Sequence, residues 1–463
     1  MAAFFNFSLS RFMNTVEITK QDEENLKASI EDLVGGRVVD MSRQLRWRPS
    51  WFVDVEKDGK IIKIYARGDR NSDVVPFPDL RREANILSIL GANGIPAPHI
   101  YGMCEQPPAI IMECAPGTRD VQAAADDDER RSVAKQYIES LVAMHRLPLQ
   151  PFVEIGVRQP EGAEEIALAG LKAYWPLYEK HKAAPDPFIE FAIRWLRSNY
   201  PRDRSQASFI AFDAGQFMFK DGKITCLYDF EFSMIGDPMT DLATMAMRHS
   251  YEPMGEDIDT LCKYYGELSG EAVDPKVVRY HHALFSAVAC MQFIGTVVNP
   301  KPGDPHDVYL EWGLALRRTL LNALADSMNV KLEPPPAMES VRGANHNLYV
   351  MLRDLLARID TATPMSESIK AQTVRVIEFA AEVDRVGQEL TQLALRDAEP
   401  FVGACDEISE MRARLETFVQ IADEQNNAAL LQLFSNDIER QVMAFEKTSI
   451  GQSAAHIRLE SLA

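Results

Sequence analysis

Phe209-Ile-Ala-Phe-Asp213-Ala-Gly-Gln216-Phe-Met-Phe219, followed by Leu227-Tyr-Asp229-Phe-Glu231-Phe and then Gly236-Asp237-Pro238-Met-Thr-Asp241-Leu242, decides how this chain reads. Two carboxylates, Asp213 and Asp229, each end a short apolar run of strand character and lie sixteen residues apart. Phosphoryl transfer uses this combination: one carboxylate orients an acceptor hydroxyl and another holds magnesium against nucleotide phosphates. Two isolated aspartates are more often turn residues, and Asp221-Gly222 is such a case. The order of both with Gly236-Asp237-Pro238 favours the chemical reading.

Upstream, Ile18, Leu26, Ile30 and Leu33 recur at helical spacing until Gly35-Gly36 stops them. Trp51–Val55 and Ile61–Tyr65 are β-branched and aromatic runs joined by Lys57-Asp58-Gly59-Lys60, a hairpin signal. Pro78-Asp79 opens a helix that Gly91 and Gly94 close. Ile100–Cys104 and Ala109–Glu113 complete a small antiparallel sheet, and Pro116-Gly117 marks a hinge. Helices are expected at 130–145, 166–180 and 187–199, and again from Pro238 to about Ser327. A small sheet lobe (35–115) followed by a larger, mainly helical lobe (116–330) places a ligand cleft between them. A helical segment, 1–34, precedes the two.

Pro334-Pro-Pro336 is a stiff linker, so a further domain is expected at 338–463. Its core motif is a heptad seam: Ile369, Thr373, Val376, Ala380, Val383, Gly387, Leu390 and Ala394. This seam closes a helical bundle, either within the chain or across a homodimer. The expected fold class is therefore α+β, two-lobed, with an all-α bundle appended.

At 463 residues and 46% hydrophobic composition, the chain can bury two or three cores. A net charge of −19 argues against a nucleic-acid surface, yet leaves room for a local basic nucleotide pocket. Six cysteines without a CxxC pair read as reduced residues of a cytoplasmic protein. No run approaches the roughly 18 apolar residues of a membrane span. The segment Met1–Met13 reads as a frayed terminus.

These fragments, in order, resemble the aminoglycoside phosphotransferase and choline kinase family, whose fold is protein-kinase-like. The resemblance covers roughly Gly35 to Asp326. It is carried by Arg82-Glu83-Ala-Asn-Ile-Leu87, Gly94-Ile-Pro-Ala-Pro98, Ile110-Ile-Met-Glu113, Pro116-Gly117, Leu141-Val-Ala-Met-His145, and Asp229-Phe-Glu231 through Asp241-Leu-Ala243. It implies that Asp213 is the catalytic aspartate and that Asp229 binds Mg²⁺; the residues themselves add Gln216, three beyond Asp213, whose amide oxygen offers a second metal ligand. Backbone groups near Glu113 and Ala115 would meet the adenine edge. A basic residue on the third strand would contact phosphates and pair with the acid of the next helix. Lys63 and Arg67 share that strand face, and Arg67 with Glu83 is preferred because Arg binds phosphate bidentately. An ordinary bracing ion pair is the plain alternative.

Three departures stand out. Ala211 occupies the place of the family's usual His. Gln216 lies three residues beyond Asp213, where a metal-binding Asn usually lies five beyond. The turn at Ser42–Ser50 lacks phosphate-wrapping glycines, so Arg46 and Arg48 either cover phosphates or are simply solvated. His145 is expected to bond a nearby carbonyl, and Asp237 and Asp241 to brace the loop after Asp229. His281-His282 lacks metal-ligand spacing.

The expected function is a cytoplasmic, ATP-dependent phosphotransferase acting on a small-molecule hydroxyl, with Mg²⁺ as cofactor. The residues do not choose between ATP and GTP. An aminoglycoside acceptor would need an acidic pocket, for which Glu252–Asp259 and Asp304–Asp307 are candidates. The apolar, aromatic larger lobe inclines instead towards a less cationic metabolite such as a hydroxyacyl thioester, sugar or amino alcohol. The alternative is a pseudokinase that uses a nucleotide pocket and the C-terminal bundle to bind a partner.

Overall fold

The computed structural model describes residues 18–44, 48–70, 75–301, 304–336, 338 and 343–457. The expectations at Met1–Met13 and Arg46 lie outside the described residues.

Helix α1 (Lys20–Val34) begins in a capping box between Thr19 and Asp22 and ends at Gly35, whose φ of 72° requires a residue without Cβ strain. Strands β1 (Arg37–Gln44), β2 (Ser50–Lys57) and β3 (Lys60–Gly68) follow. The β2–β3 turn places Asp58 and Gly59 at φ of 51° and 72°, the geometry that matches strand twist in a two-residue hairpin. Asp79 caps α2 (Leu80–Ala92), and β4 (Ile100–Glu105) and β5 (Pro108–Glu113) complete an antiparallel sheet of order β1-β2-β3-β5-β4. One face buries Trp51, Val53, Val55, Ile64, Ala66 and Ile111 against α1. Because side chains alternate along β3, Arg67 emerges on the opposite face.

Next come α3 (Asp127–His145), α4 (Gln150–Glu154), α5 (Gly162–Ala167), α6 (Ala169–His181) and α7 (Pro187–Ser198). The helix expected at 166–180 is thus two helices, interrupted at Leu168. Strands β6 (Ser208–Ile210), β7 (Phe217–Lys220), β8 (Lys223–Leu227) and β9 (Met234–Gly236) form two short antiparallel pairs, β6 with β9 and β7 with β8. Helices α8 (Met239–His249), α9 (Ile258–Ser269), α10 (Pro275–Val298) and α11 (His306–Met328) follow. Helix α10 alone among the described helices is long and apolar enough to cross a membrane by length and composition. Its most apolar stretch is 67% buried inside the protein, as in the core helix of a globular domain. The C-terminal helices are α12 (His346–Ala357), α13 (Pro364–Val402), α14 (Ile408–Ile421), α15 (Asn427–Phe445) and α16 (Gln452–His456).

By compactness the chain divides into two units. Of the described residues, one unit comprises those within 18–173 and 201–281, and the other those within 174–200 and 282–457. Segments 174–200 and 282–330, expected in the larger lobe, therefore group with the C-terminal helices. The first unit holds both short sheets and the five-stranded sheet. In the second, partly buried ion pairs join segments distant in sequence: Lys182 to Glu416 at 2.9 Å, Arg317 to Asp186 at 2.6 Å, and Arg318 to Glu439 at 2.7 Å. The heptad seam is only partly covered. Ile369 is 50% and Val383 43% exposed, whereas the buried positions of α13 are Val386 and Ala398.

Candidate active site

Asp229 ends the β7–β8 hairpin in a left-handed conformation, φ 68°, which turns its carboxylate out of the strand line. Arg67 ion-pairs with Asp229 and donates through Nε to Glu83 Oε2 at 3.0 Å. The side chains expected to meet, β3 cation and α2 acid, do so, and Arg67 joins Glu83 to Asp229 in one network. Burial pushes the Asp229 carboxyl up, but Arg67, Arg48 and Arg70 together outweigh it and hold the group well below its ordinary range. Glu83, 2% exposed, goes the other way: burial raises it against the pull of Arg67.

Glu231, two residues on, is buried between Arg48 and Arg70. Arg48 also donates to the Gly68 carbonyl at 3.2 Å. Its guanidinium is committed to these buried partners, so Arg48 is not the solvated turn residue of one expectation and has no free donor pair turned to phosphates as the other required. Burial lowers the Arg70 pKa to about 10 despite the pull of Glu231. Three arginines and three carboxylates thus balance in one buried cluster, which satisfies charges that would otherwise be costly to desolvate.

Asp213 follows β6 on a loop held by side chains of two helices, α3 and α8. Asp241 of α8 accepts the backbone N–H groups of Ala211 and Phe212, both at 2.9 Å. Thr244 accepts that of Ala214 at 3.1 Å, and Tyr137 of α3 that of Gly215 at 2.5 Å. Asp241 therefore braces the loop of Asp213, not the one after Asp229. Asp237 instead pairs with Arg204 and approaches His281 at 3.3 Å. His145 bonds the Asp241 carboxylate at 3.0 Å and the Tyr265 hydroxyl at 2.8 Å, so no carbonyl is its partner. With Ala211 lacking a side-chain donor, these groups supply the bracing.

Both oxygens of Asp213 have protein partners. Arg248, at the end of α8, donates through Nη2 to Oδ1 at 2.5 Å and through Nε to the Ala214 carbonyl at 2.9 Å. Gln216 donates through Nε2 to Oδ2 at 3.1 Å and to the Asp213 carbonyl at 3.3 Å. Because both acceptors are oxygens, the amide nitrogen of Gln216 must face Asp213, leaving its Oε1 turned away. Burial lifts the Asp213 carboxyl above its usual range, Arg248 pulls it back, and Asp229 pushes it up again. Gly215, φ 90°, sits where a Cβ would come within 2.7 Å of Arg248 Cδ.

The remaining expected residues lie at the end of β5. The Glu113 N–H is spent on the His99 carbonyl at 2.8 Å, while that of Ala115 has no protein acceptor among the described residues. Arg248 was not anticipated from the sequence. A signal was present: Asp241, Thr244 and Arg248 fall at i, i+3 and i+7 on a helix otherwise apolar except for Thr240 and His249, one polar stripe facing one loop. The candidate acidic pocket also changes character. Glu252 lies between Arg248, 3.1 Å away, and Arg119, 3.5 Å away; Asp257 caps α9; Asp307 is paired with Arg375 at 3.0 Å. Among the described residues no group of three His, Cys, Asp or Glu could hold a metal by itself.

Sheet lobe, hinge and paired short sheets define a protein-kinase-like phosphotransferase fold. A model of the phosphotransferase enzyme family matches residues 48–277, and through those residues the chain belongs to that family. Solved structures of similar fold include a Ralstonia eutropha protein assigned to the aminoglycoside phosphotransferases. It is 17% identical with a TM-score of 0.49, and the match covers 64% of this chain and 95% of that one. A macrolide 2'-phosphotransferase type I is 14% identical with a TM-score of 0.45, covering 66% and 98%. A thermostable aminoglycoside phosphotransferase APH(4)-Ia, solved with ADP and hygromycin B, is 14% identical with a TM-score of 0.42, covering 58% and 91%. No curated protein matches the chain in sequence.

Proposed function

We propose that the protein transfers the γ-phosphoryl group of ATP to a hydroxyl of a small molecule. The observation that carries this reading is the β7–β8 hairpin. It brings Gln216 and Tyr228 together through a backbone bond of 3.2 Å, so that Gln216 and Asp229 leave the same open end beside Asp213. Asp229, held ionised, and the outward Oε1 of Gln216 form the sparse oxygen set that Mg²⁺ accepts when phosphates and water complete its shell. That ion would neutralise charge on the phosphates. Arg67 would exchange its bond to Asp229 for one to phosphate, while Glu83 keeps it oriented. Ala115 N–H and the Glu113 carbonyl would receive the adenine edge.

Asp213 acts by orientation more than by basicity. A carboxylate already receiving Arg248 and Gln216 keeps lone pairs for one acceptor hydroxyl and fixes its angle of attack, which suits a loose transition state. The test is transfer from labelled ATP with Mg²⁺ to a panel of alcohols, hydroxy acids and aminoglycosides. Asp213→Asn should bind Mg-ATP yet lose transfer by about 100-fold or more, the scale of losing a positioned catalytic group. Transfer by Asp213→Asn at the parent rate would sink the proposal.

The engagement of both Asp213 oxygens also favours a second reading, a pseudokinase that binds nucleotide without transferring phosphate. Nucleotide-dependent stabilisation with no transfer to any acceptor would select it. Leu348, Met351, Leu355 and Ile359 expose an apolar stripe along and just beyond α12, which suits a homodimer through the C-terminal helices, testable by light scattering. The cysteines are free, as a reducing cytoplasmic setting requires.

A further inference from the structure

At the reacting centre two carboxylates share one arginine. Arg248 donates through Nη2 to Asp213 Oδ1 at 2.5 Å, through Nη1 to Glu252 Oε2 at 3.1 Å, and through Nε to the Ala214 carbonyl at 2.9 Å. Glu252 also has Arg119 3.5 Å away. Two acids and two guanidiniums therefore cancel. The Arg248 side chain is only 10% exposed, and its charge is permanent, because a guanidinium does not deprotonate in a protein.

The loop that carries Asp213 is shaped around this arginine. Gly215 has a φ of 90°, and a Cβ there would come within 2.7 Å of Arg248 Cδ, so the backbone leaves room for the arginine stem. The two oxygens of Asp213 face different groups: Oδ2 receives Gln216, and Oδ1 receives Arg248. A hydroxyl bonded to either oxygen lies within about 8 Å of Arg248 Nη2, since each hydrogen bond spans about 3 Å or less and the two oxygens are about 2 Å apart. The bound holds wherever the rest of the acceptor lies. Over such a distance, at an effective dielectric of about 20, two unit charges change binding by about tenfold or more. An ammonium group on the carbon next to the hydroxyl would be drawn to Asp213 and Glu252, and Arg248 cancels that attraction.

We propose that Arg248 sets the specificity of this site: it selects acceptors with no positive charge beside the reacting hydroxyl, such as sugars and polyols, and turns away amino alcohols and polycationic aminoglycosides. This inference rests on the phosphotransferase reading of the same site and names the acceptor's charge class. The transfer itself balances simply: the hydroxyl oxygen bonds the γ-phosphorus, the bond to the β-phosphate oxygen breaks, ADP leaves, and the hydroxyl proton passes to solvent.

The test measures kanamycin binding by calorimetry to the full chain with Mg²⁺ and AMP-PNP bound, for the parent, Arg248→Gln and Arg248→Lys. Arg248→Gln should bind kanamycin about tenfold or more tighter than the parent, and Arg248→Lys, which keeps the charge, as weakly as the parent. The gain should shrink in about 1 M salt, a response that a merely loosened loop does not give. In turnover with ATP, glucosamine should have a KM about tenfold or more above that of glucose in the parent, and the gap should close in Arg248→Gln. The proposal is overturned if the parent binds kanamycin as tightly as Arg248→Gln, if the Lys and Gln variants gain alike, or if salt leaves the gain unchanged. Should Arg248→Gln not fold, the parent decides alone: kanamycin binding that depends on Mg-AMP-PNP counts against the proposal, and no binding upholds it. Failure of Mg-AMP-PNP itself to stabilise the parent is a separate result, which removes the phosphotransferase reading and this inference with it.

Discussion

Arg248→Leu should loosen the loop that carries Asp213. The substitution keeps apolar bulk on α8 but deletes the donors to Asp213 at 2.5 Å, to the Ala214 carbonyl at 2.9 Å and to Glu252 at 3.1 Å. Removing one partner of a buried ion pair typically costs about 3–5 kcal/mol, because the other charge is left unpaired. The lower end applies here, since Asp213 and Glu252 retain some access to water. A local cost of about 3 kcal/mol corresponds to roughly 100-fold faster opening. Hydrogen exchange of the Ala211, Phe212, Ala214 and Gly215 amides reads that opening directly. Adding Asp213→Asn removes the stranded charge and should recover about 2 kcal/mol, or roughly 30-fold of the exchange rate.

The pH dependence has a definite sign. Asp213 already titrates above its unfolded value, so ionising it weakens the folded state as pH rises through the raised value. Losing Arg248 raises it further, so the penalty should be small near about pH 4 and grow towards neutrality. Exchange in Arg248→Leu within about threefold of the parent at neutral pH, or no rescue by Asp213→Asn, would refute the pairing argument.

Three further outcomes follow from the same contacts. Arg67→Ala strands Glu83, 2% exposed, and should cost about 3–5 kcal/mol while erasing stabilisation by Mg-ATP, which in the parent reaches about 2.7 kcal/mol at 100 times Kd. Asp241→Ala orphans the N–H groups of Ala211 and Phe212 and should cost about 2–4 kcal/mol by thermal denaturation, with loss of transfer. Because Asp229 is held below its ordinary range, it stays ionised, and its stabilising pairing with Arg67 persists, at pH values where a free aspartate is protonated. Nucleotide affinity should therefore decline on acidification only through other groups, which an Mg-ATP titration across pH would check.

Periodicity and turn residues were sufficient for most elements. The Asp58-Gly59 hairpin, the Asp79 cap and the helix over 130–145 follow from local chemistry, which a chain expresses without distant partners. The places of Asp213, Gln216 and Asp229 at the ends of short strands were legible for the same reason. The Arg67–Glu83 pair was legible because β3 and α2 are close in sequence and their faces are set by periods of 2 and 3.6.

Other features depend on contacts that no local pattern encodes. Arg48 and Arg70 reach Glu231 across more than 160 residues, and Arg248 reaches Asp213 across 35. Whether a surface-looking arginine is solvated or buried depends on which carboxylate the fold delivers to it. The same holds for Glu252, acidic in sequence but neutralised in space by two arginines. Sequence alone determined which candidate groups for phosphoryl transfer the chain carries and in what order they occur. Tertiary structure decided their charge state and partners, because electrostatic pairing depends on distance and burial, and both are set only when remote segments pack together.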